Sequence, residues 1–110
     1  MIEISISKDF TKCPGGAFRK DGKFSGEEFR EDILKPKWKK AQEKGEKLIV
    51  NMDGGYGYST SFIREAFYIF AFDEKDFCLL DKNMFEIINN EDFGLKDEIM
   101  KGIYGVLSCM

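Results

Sequence analysis

Leu48-Ile49-Val50-Asn51-Met52-Asp53-Gly54-Gly55-Tyr56-Gly57-Tyr58-Ser59-Thr60-Ser61 joins an uninterrupted apolar run to a glycine-rich turn and then to a row of hydroxyls. Leu48, Ile49 and Val50 have no polar residue between them, which suits a short strand buried on both faces at the centre of a sheet. The glycines end that strand. From about Ser61 onward, Phe62, Ile63, Ala66, Phe67, Ile69, Phe70 and Ala71 leave only Arg64, Glu65 and Tyr68 as polar or amphipathic positions, so a mostly buried helix follows. Residues 53–61 therefore lie at the carboxyl end of a central strand, where open α/β sheets bind ligands and partners.

Working outward, Ile2, Ile4 and Ile6 alternate with Glu3, Ser5 and Ser7, a period of two that predicts an opening strand with one buried face. Residues 9–23 contain Pro14, Gly15, Gly16, Asp21 and Gly22 and read as a loop, with residues 17–19 a candidate short strand returning beside the first. Ser25-Gly26-Glu27-Glu28 fits a capping box, in which the Ser25 hydroxyl accepts from the Glu28 N–H and the Glu28 side chain reaches back to the Ser25 N–H. Phe29 and Ile33 share one face of the helix that follows. Pro36 removes a donor and predicts a kink or restart, after which the apolar positions move to Trp38 and Ala41. Gly45 ends the segment, with Lys39, Lys40 and Lys44 in its last turns. Residues 77–80 and 85–88 are strand candidates, and residues 95–107 predict a last helix with Ile99, Ile103, Val106 and Leu107 inward. The order implies an α/β layer fold, a mixed β-sheet with helices packed against it.

Composition bounds the function. The chain has 110 residues, 17 Lys plus Arg against 20 Asp plus Glu, 43% hydrophobic residues and 11 Phe, enough apolar mass for one domain spanning residues 1–110. It has no histidine, which removes His-based triads, His general bases and His-containing zinc or haem sites. Cys13, Cys78 and Cys109 are odd in number and far apart, as expected of reduced thiols in the cytoplasm. Residues 1–10 show no signal-peptide pattern, and no apolar stretch is long enough to span a bilayer.

Two stretches resemble a known family. Pro14-Gly15-Gly16, Asp21-Gly22, Ser25-Gly26-Glu27-Glu28-Phe29-Arg30 and Pro36, with residues 51–62 and Glu65-Ala66-Phe67, are similar to the bacterial STAS-like family of unassigned function. The family's name records its similarity to STAS domains, the fold of sulphate-transporter tails and anti-sigma factor antagonists. The antagonists are small cytosolic switches phosphorylated on a serine by a partner kinase of the histidine-kinase-like ATPase fold. The resemblance places Ser61 on the acceptor position at the start of the helix after the central strand. It places Ser59 where the signature has its acidic residue, and Phe62 where it has glycine.

The residues admit two readings of the hydroxyls. A phosphate at Ser61 would meet unpaired backbone donors and the positive end of the helix dipole; equally, Ser59, Thr60 or Ser61 is an N-cap worth about 1 kcal/mol with no regulatory role. Gly54, Gly55, Tyr56, Gly57 and Tyr58 lack the Lys-Ser/Thr ending of a P-loop, so a tight turn with two exposed tyrosines is expected, and with Asp53 and Phe62 they form the expected partner-binding stretch. Lys35, Lys37, Lys39, Lys40, Lys44 and Lys47 surround Trp38, but a pI near 5.1 and the interspersed Glu43 and Glu46 favour a solvated helix face over a nucleic-acid site. Asp53 is expected to accept backbone hydrogen bonds in the glycine turn. Neither a metal site nor any other cofactor is expected, and Cys13 has no histidine to activate it. The leading expectation is a non-catalytic regulatory module that docks a protein partner, a histidine-kinase-like ATPase or serine kinase, with no nucleic acid and no membrane. The alternatives are a small-ligand or nucleotide-binding domain whose anion contacts include Arg19, Ser25 and Arg30, and a phage or mobile-element protein that binds a host factor.

Overall fold

The structure, a computed structural model, describes residues 1–74 and 83–108. Strand β1 (Ile2–Ser5) pairs with β2 (Leu48–Asn51), and β2 pairs with β3 (Phe85–Ile88), in the order β1-β2-β3. Both ladders are parallel, with Ile4 opposite Val50 and Val50 opposite Ile87. Strand β2 is central as its apolar run requires, and Leu48, Ile49 and Val50 are all buried. The expected mixed sheet is thus parallel throughout its described strands, because each connection between successive strands runs through a helix. The candidate strand at residues 77–80 lies outside the described residues, as do Cys78 and Cys109.

After β1 the chain makes one helical turn, α1 (Ile6–Asp9), so Ile6 reaches the core from a helix and not from the strand. No strand forms at residues 17–19. The Gly16 and Ala17 carbonyls instead accept from the Gly26 and Glu27 N–H groups, each at 2.9 Å, satisfying donors that a helix start leaves open. A 3₁₀ turn, Arg19–Asp21, follows.

Helix α2 occupies residues 26–44, as Gly26–Phe29, a widened π-helical turn Arg30–Leu34, and Lys35–Lys44. The Ser25 hydroxyl accepts from the Glu28 N–H at 3.0 Å as expected, but the Glu28 carboxylate returns to the Phe24 N–H at 3.2 Å, one residue before the expected donor. Pro36 does not stop the helix. The Lys35 N–H bonds the Arg30 carbonyl five residues back, and that wider turn makes room ahead of the proline ring, which in a regular helix would strike the carbonyl four residues earlier. Leu34, and not Ile33, becomes the fully buried side chain of this turn. Gly45 closes α2 at φ 64°, with its N–H on the Gln42 carbonyl and the Glu46 N–H on the Ala41 carbonyl, a Schellman ending.

Helix α3 occupies residues 60–73 as Thr60–Ile63, a second π-helical turn Arg64–Tyr68, and Ile69–Asp73. Helix α4 (Phe93–Ser108) follows β3, capped by Asp92, whose carboxylate accepts from the Leu95 N–H at 3.0 Å. Ile99 and Ile103 are buried, while Val106 and Leu107 pack part-exposed against the core.

Aromatics on α2 and α3 build that core against the sheet. Trp38 meets Phe70 and Phe85 edge-on with ring centroids 6.0 and 5.9 Å away, and Phe29 lies between Phe62 and Phe67. Such tilted and edge-on contacts add to simple area burial. Helices α2 and α3 approach closely at Gly26, where a Cβ would stand 2.5 Å from the Phe62 carbonyl oxygen. No helix among the described residues is long and apolar enough to cross a membrane.

Candidate functional site

The end of β2 is held by side chains from three directions. The Asn51 side-chain oxygen accepts from the Asp53 N–H at 2.9 Å, and the Ser7 hydroxyl donates to the Asp53 carbonyl at 3.1 Å. The Asp53 carboxylate accepts from the Asn90 side chain at 3.1 Å and from the Glu91 N–H at 3.0 Å. In return, the Glu91 carboxylate accepts from the Gly54 N–H at 2.6 Å. Asp53 does accept a backbone hydrogen bond, but from the loop after β3 and not from its own glycine turn. It is a clasp between two loops.

Gly54 and Gly57 adopt φ of 93° and 130°, where a side chain is strained, and a Cβ on Gly54 would also meet the Ser7 hydroxyl at 2.8 Å. Between them Tyr56 is 81% exposed, its N–H on the Lys12 carbonyl at 2.9 Å. Tyr58 departs from the expected pair of exposed tyrosines. Its hydroxyl donates to the Met52 carbonyl at 2.9 Å and its ring lies 5.8 Å from that of Phe62. Burial, with the charges of Asp53 and Glu91 nearby, pushes its phenol up to about 12.

The three hydroxyls separate clearly. Ser59 is the N-cap of α3: its hydroxyl accepts from the Phe62 N–H at 3.1 Å and donates to the Gly15 carbonyl at 3.2 Å. Thr60 and Ser61 are the first two helical residues, and both are exposed. Ser61 is therefore not the cap. Phe62, expected among the partner-binding residues, has no exposed surface and belongs to the core, because the rotation of α3 aims it at Phe29 and Tyr58.

The expected anion contacts do not converge. Ser25 is buried with its hydroxyl in the α2 cap, and Arg30 is buried on Glu65. Arg19 is exposed and paired with Asp32 at 2.6 Å. A cleft of about 460 Å³ does open at the carboxyl ends of β1 and β2, lined by Ser5, Ser7, Asn51, Asp53 and Glu91 among others. None of the three expected anion contacts lines it, and its carboxylates do not suit an anion. Among the described residues no three His, Cys, Asp or Glu side chains are grouped to hold a metal ion.

Elsewhere, Trp38 is buried and unavailable as a stacking platform; Lys35 and Lys47 are paired with Asp73 and Glu86. Cys13 is exposed and free. The Asp53–Glu91 clasp and the Arg30–Glu65 pair had no signal in the sequence, since each joins residues more than thirty positions apart through loops or helix rotation.

The fold and site together define a parallel α/β domain with an exposed tyrosine turn and exposed hydroxyls at the start of the following helix. No family model, curated protein or solved structure matches this chain.

Proposed function

We propose that this chain is a non-catalytic regulatory interaction module of the STAS-like, anti-sigma-factor-antagonist type, acting in the cytoplasm. It docks a protein partner through the turn after β2 and the start of α3. Phosphorylation of an exposed hydroxyl there by a histidine-kinase-like ATPase switches it. The observation that carries this reading is the placement of Tyr56, 81% exposed, beside exposed Thr60 and Ser61 on a helix whose inner face is buried.

Ser61 is the favoured acceptor. Its hydroxyl is outside the cap, it lies in the first turn where added negative charge suits the helix dipole, and Arg64 follows three residues on. Phosphate on Ser59 would instead displace the bonds to Phe62 and Gly15. The test is phosphate mapping on the peptide containing residues 59–61 from protein isolated from its native cells, with partner affinity measured for Ser61→Ala and Ser61→Asp. Phosphate on Ser61 and opposite effects of the two variants are expected. Unchanged affinity in both leaves only a constitutive docking role.

A small-ligand reading has one observation in its favour, the cleft at the carboxyl ends of β1 and β2. A thermal-shift screen separates the two, because a ligand at a hundred times its Kd stabilises the fold by about 2.7 kcal/mol.

A further inference from the structure

The turn that carries Tyr56 is fused to a second loop. The Tyr56 N–H donates to the Lys12 carbonyl at 2.9 Å, the Ser59 hydroxyl to the Gly15 carbonyl at 3.2 Å, and the Gly15 N–H to the Phe24 carbonyl at 2.8 Å. Residues 12–24 and 54–61 therefore present one surface. Phe18 and Phe24 add two more exposed rings to it, each 38% exposed, and Phe24 is held at φ 58° and edge-on to Phe10 at 5.5 Å. Side chains rarely adopt that backbone conformation.

The charge on this surface opposes that of the whole chain. Residues 12–24 and 54–61 hold Lys12, Arg19, Lys20 and Lys23 against Asp21 alone, in a protein of net charge −3. Of the nearby carboxylates, Asp32 offsets the Arg19 guanidinium that it pairs with, while Glu27 and Glu28 accept from the neutral Arg19 and Phe24 N–H groups and keep their charge, so the excess of positive charge rests on the cations that no carboxylate meets. Lys12, Lys23 and, one turn along from Ser61, Arg64 are exposed and make no ion pair with any described residue.

We propose that this surface docks an acidic protein face that also offers an apolar recess for Tyr56. The inference rests on the docking reading above and names the partner's chemistry. Exposed cations around a tyrosine steer an anionic partner and anchor it through the ring. A protein face fits better than a nucleic acid strand, because the cations cover a small area and the carboxylate-lined cleft beginning at Gly54 would repel a polyanion running past the turn.

The test is binding of the full chain to an array of random 12-residue peptides graded in net charge, with and without a central Phe or Leu. Tyr56→Ala and the triple variant Lys12→Glu/Lys23→Glu/Arg64→Glu are read in parallel, with circular dichroism to show that each folds. The expected result is a signal that rises with peptide negative charge and falls at least tenfold in the triple variant. It is also expected to lose its preference for the apolar residue in Tyr56→Ala. Binding independent of peptide charge, yet reduced by Tyr56→Ala, overturns the acidic partner and leaves docking intact. Binding unaltered in both variants, or absent from every peptide, overturns docking through this surface as well. Tighter binding of a 20-nucleotide polyuridine than of any peptide, lost in the triple variant, replaces the protein face by a nucleic acid.

Discussion

Arg30 and Glu65 meet across helices α2 and α3, buried and 3.1 Å apart, each within the widened turn of its own helix. In α3 the Ile69 N–H reaches back to the Arg64 carbonyl, so the Glu65 carbonyl loses the donor that a regular helix would supply. The Arg30 guanidinium bonds that carbonyl as well as the Glu65 carboxylate. One side chain thus balances a buried charge and satisfies a backbone group that the π-helical turn orphans.

Breaking this pair from one side should be severe. Arg30→Met leaves the Glu65 carboxylate buried without its partner and is expected to cost about 3–5 kcal/mol in urea unfolding. Arg30→Met/Glu65→Met removes the charge but not the orphan carbonyl, so a deficit of about 1–3 kcal/mol should remain. A single variant within 0.5 kcal/mol of the parent, about the range of an ordinary surface substitution, would mean that the pair is solvated.

Gly26→Ala should invert the usual helix rule. Alanine in a helix is ordinarily better than glycine by about 1 kcal/mol. Here the new Cβ would stand 2.5 Å from the Phe62 carbonyl and 3.1 Å from the Ala66 nitrogen, both backbone atoms that cannot swing away. A net loss of about 1–3 kcal/mol is expected, read as a lower denaturation midpoint.

The hydroxyls at the start of α3 should separate by stability alone. Ser59→Ala loses the cap and about 1 kcal/mol, while Ser59→Asp restores the acceptor for the Phe62 N–H but not the donor to the Gly15 carbonyl, and so recovers only part of the loss. Ser61→Ala should lie within about 0.5 kcal/mol of the parent, as an exposed site outside the cap. Thermal unfolding of the three variants checks the order; equal losses at both positions would contradict the cap assignment.

Tyr58 predicts an alkaline limb to the stability profile. Its phenol is pushed up to about 12 in the folded chain, against an ordinary value near 10 when unfolded. The folded state therefore binds the proton more tightly. Its stabilising effect is complete below pH of about 10 and is lost as pH rises toward 12. Absorbance titration at 295 nm should show a late-ionising tyrosine that Tyr58→Phe removes; an unchanged titration curve would place the shifted phenol elsewhere.

Much of the fold is legible because its signals are local. Leu48, Ile49 and Val50 read as a buried central strand, Ser25 as a helix start and Gly45 as a helix end, and each depends on neighbours within a few residues. Reading fails where backbone groups find distant partners. Residues 17–19 look free to form a strand, but the Ala17 carbonyl, with that of Gly16 before it, bonds the start of α2. Pro36 looks like a break, but the wide turn ahead of it carries the helix through. At the candidate site, exposed Tyr56 follows from the glycines on either side. Inward Phe62 follows from the rotation of α3 and inward Tyr58 from its bond to the Met52 carbonyl, neither of which a short spacing specifies.

By itself the sequence determined the centre of the sheet, the two ends of α2, the absence of histidine and the position of the glycine turn, since propensity, periodicity and capping act over a few residues. The tertiary structure alone decided which hydroxyl caps α3 and which stay exposed. It also decided that Arg30 is buried on Glu65 instead of facing a ligand, and that residues 12–24 join residues 54–61 in one surface. These are outcomes of helix rotation and loop packing, which depend on the whole core being filled at once.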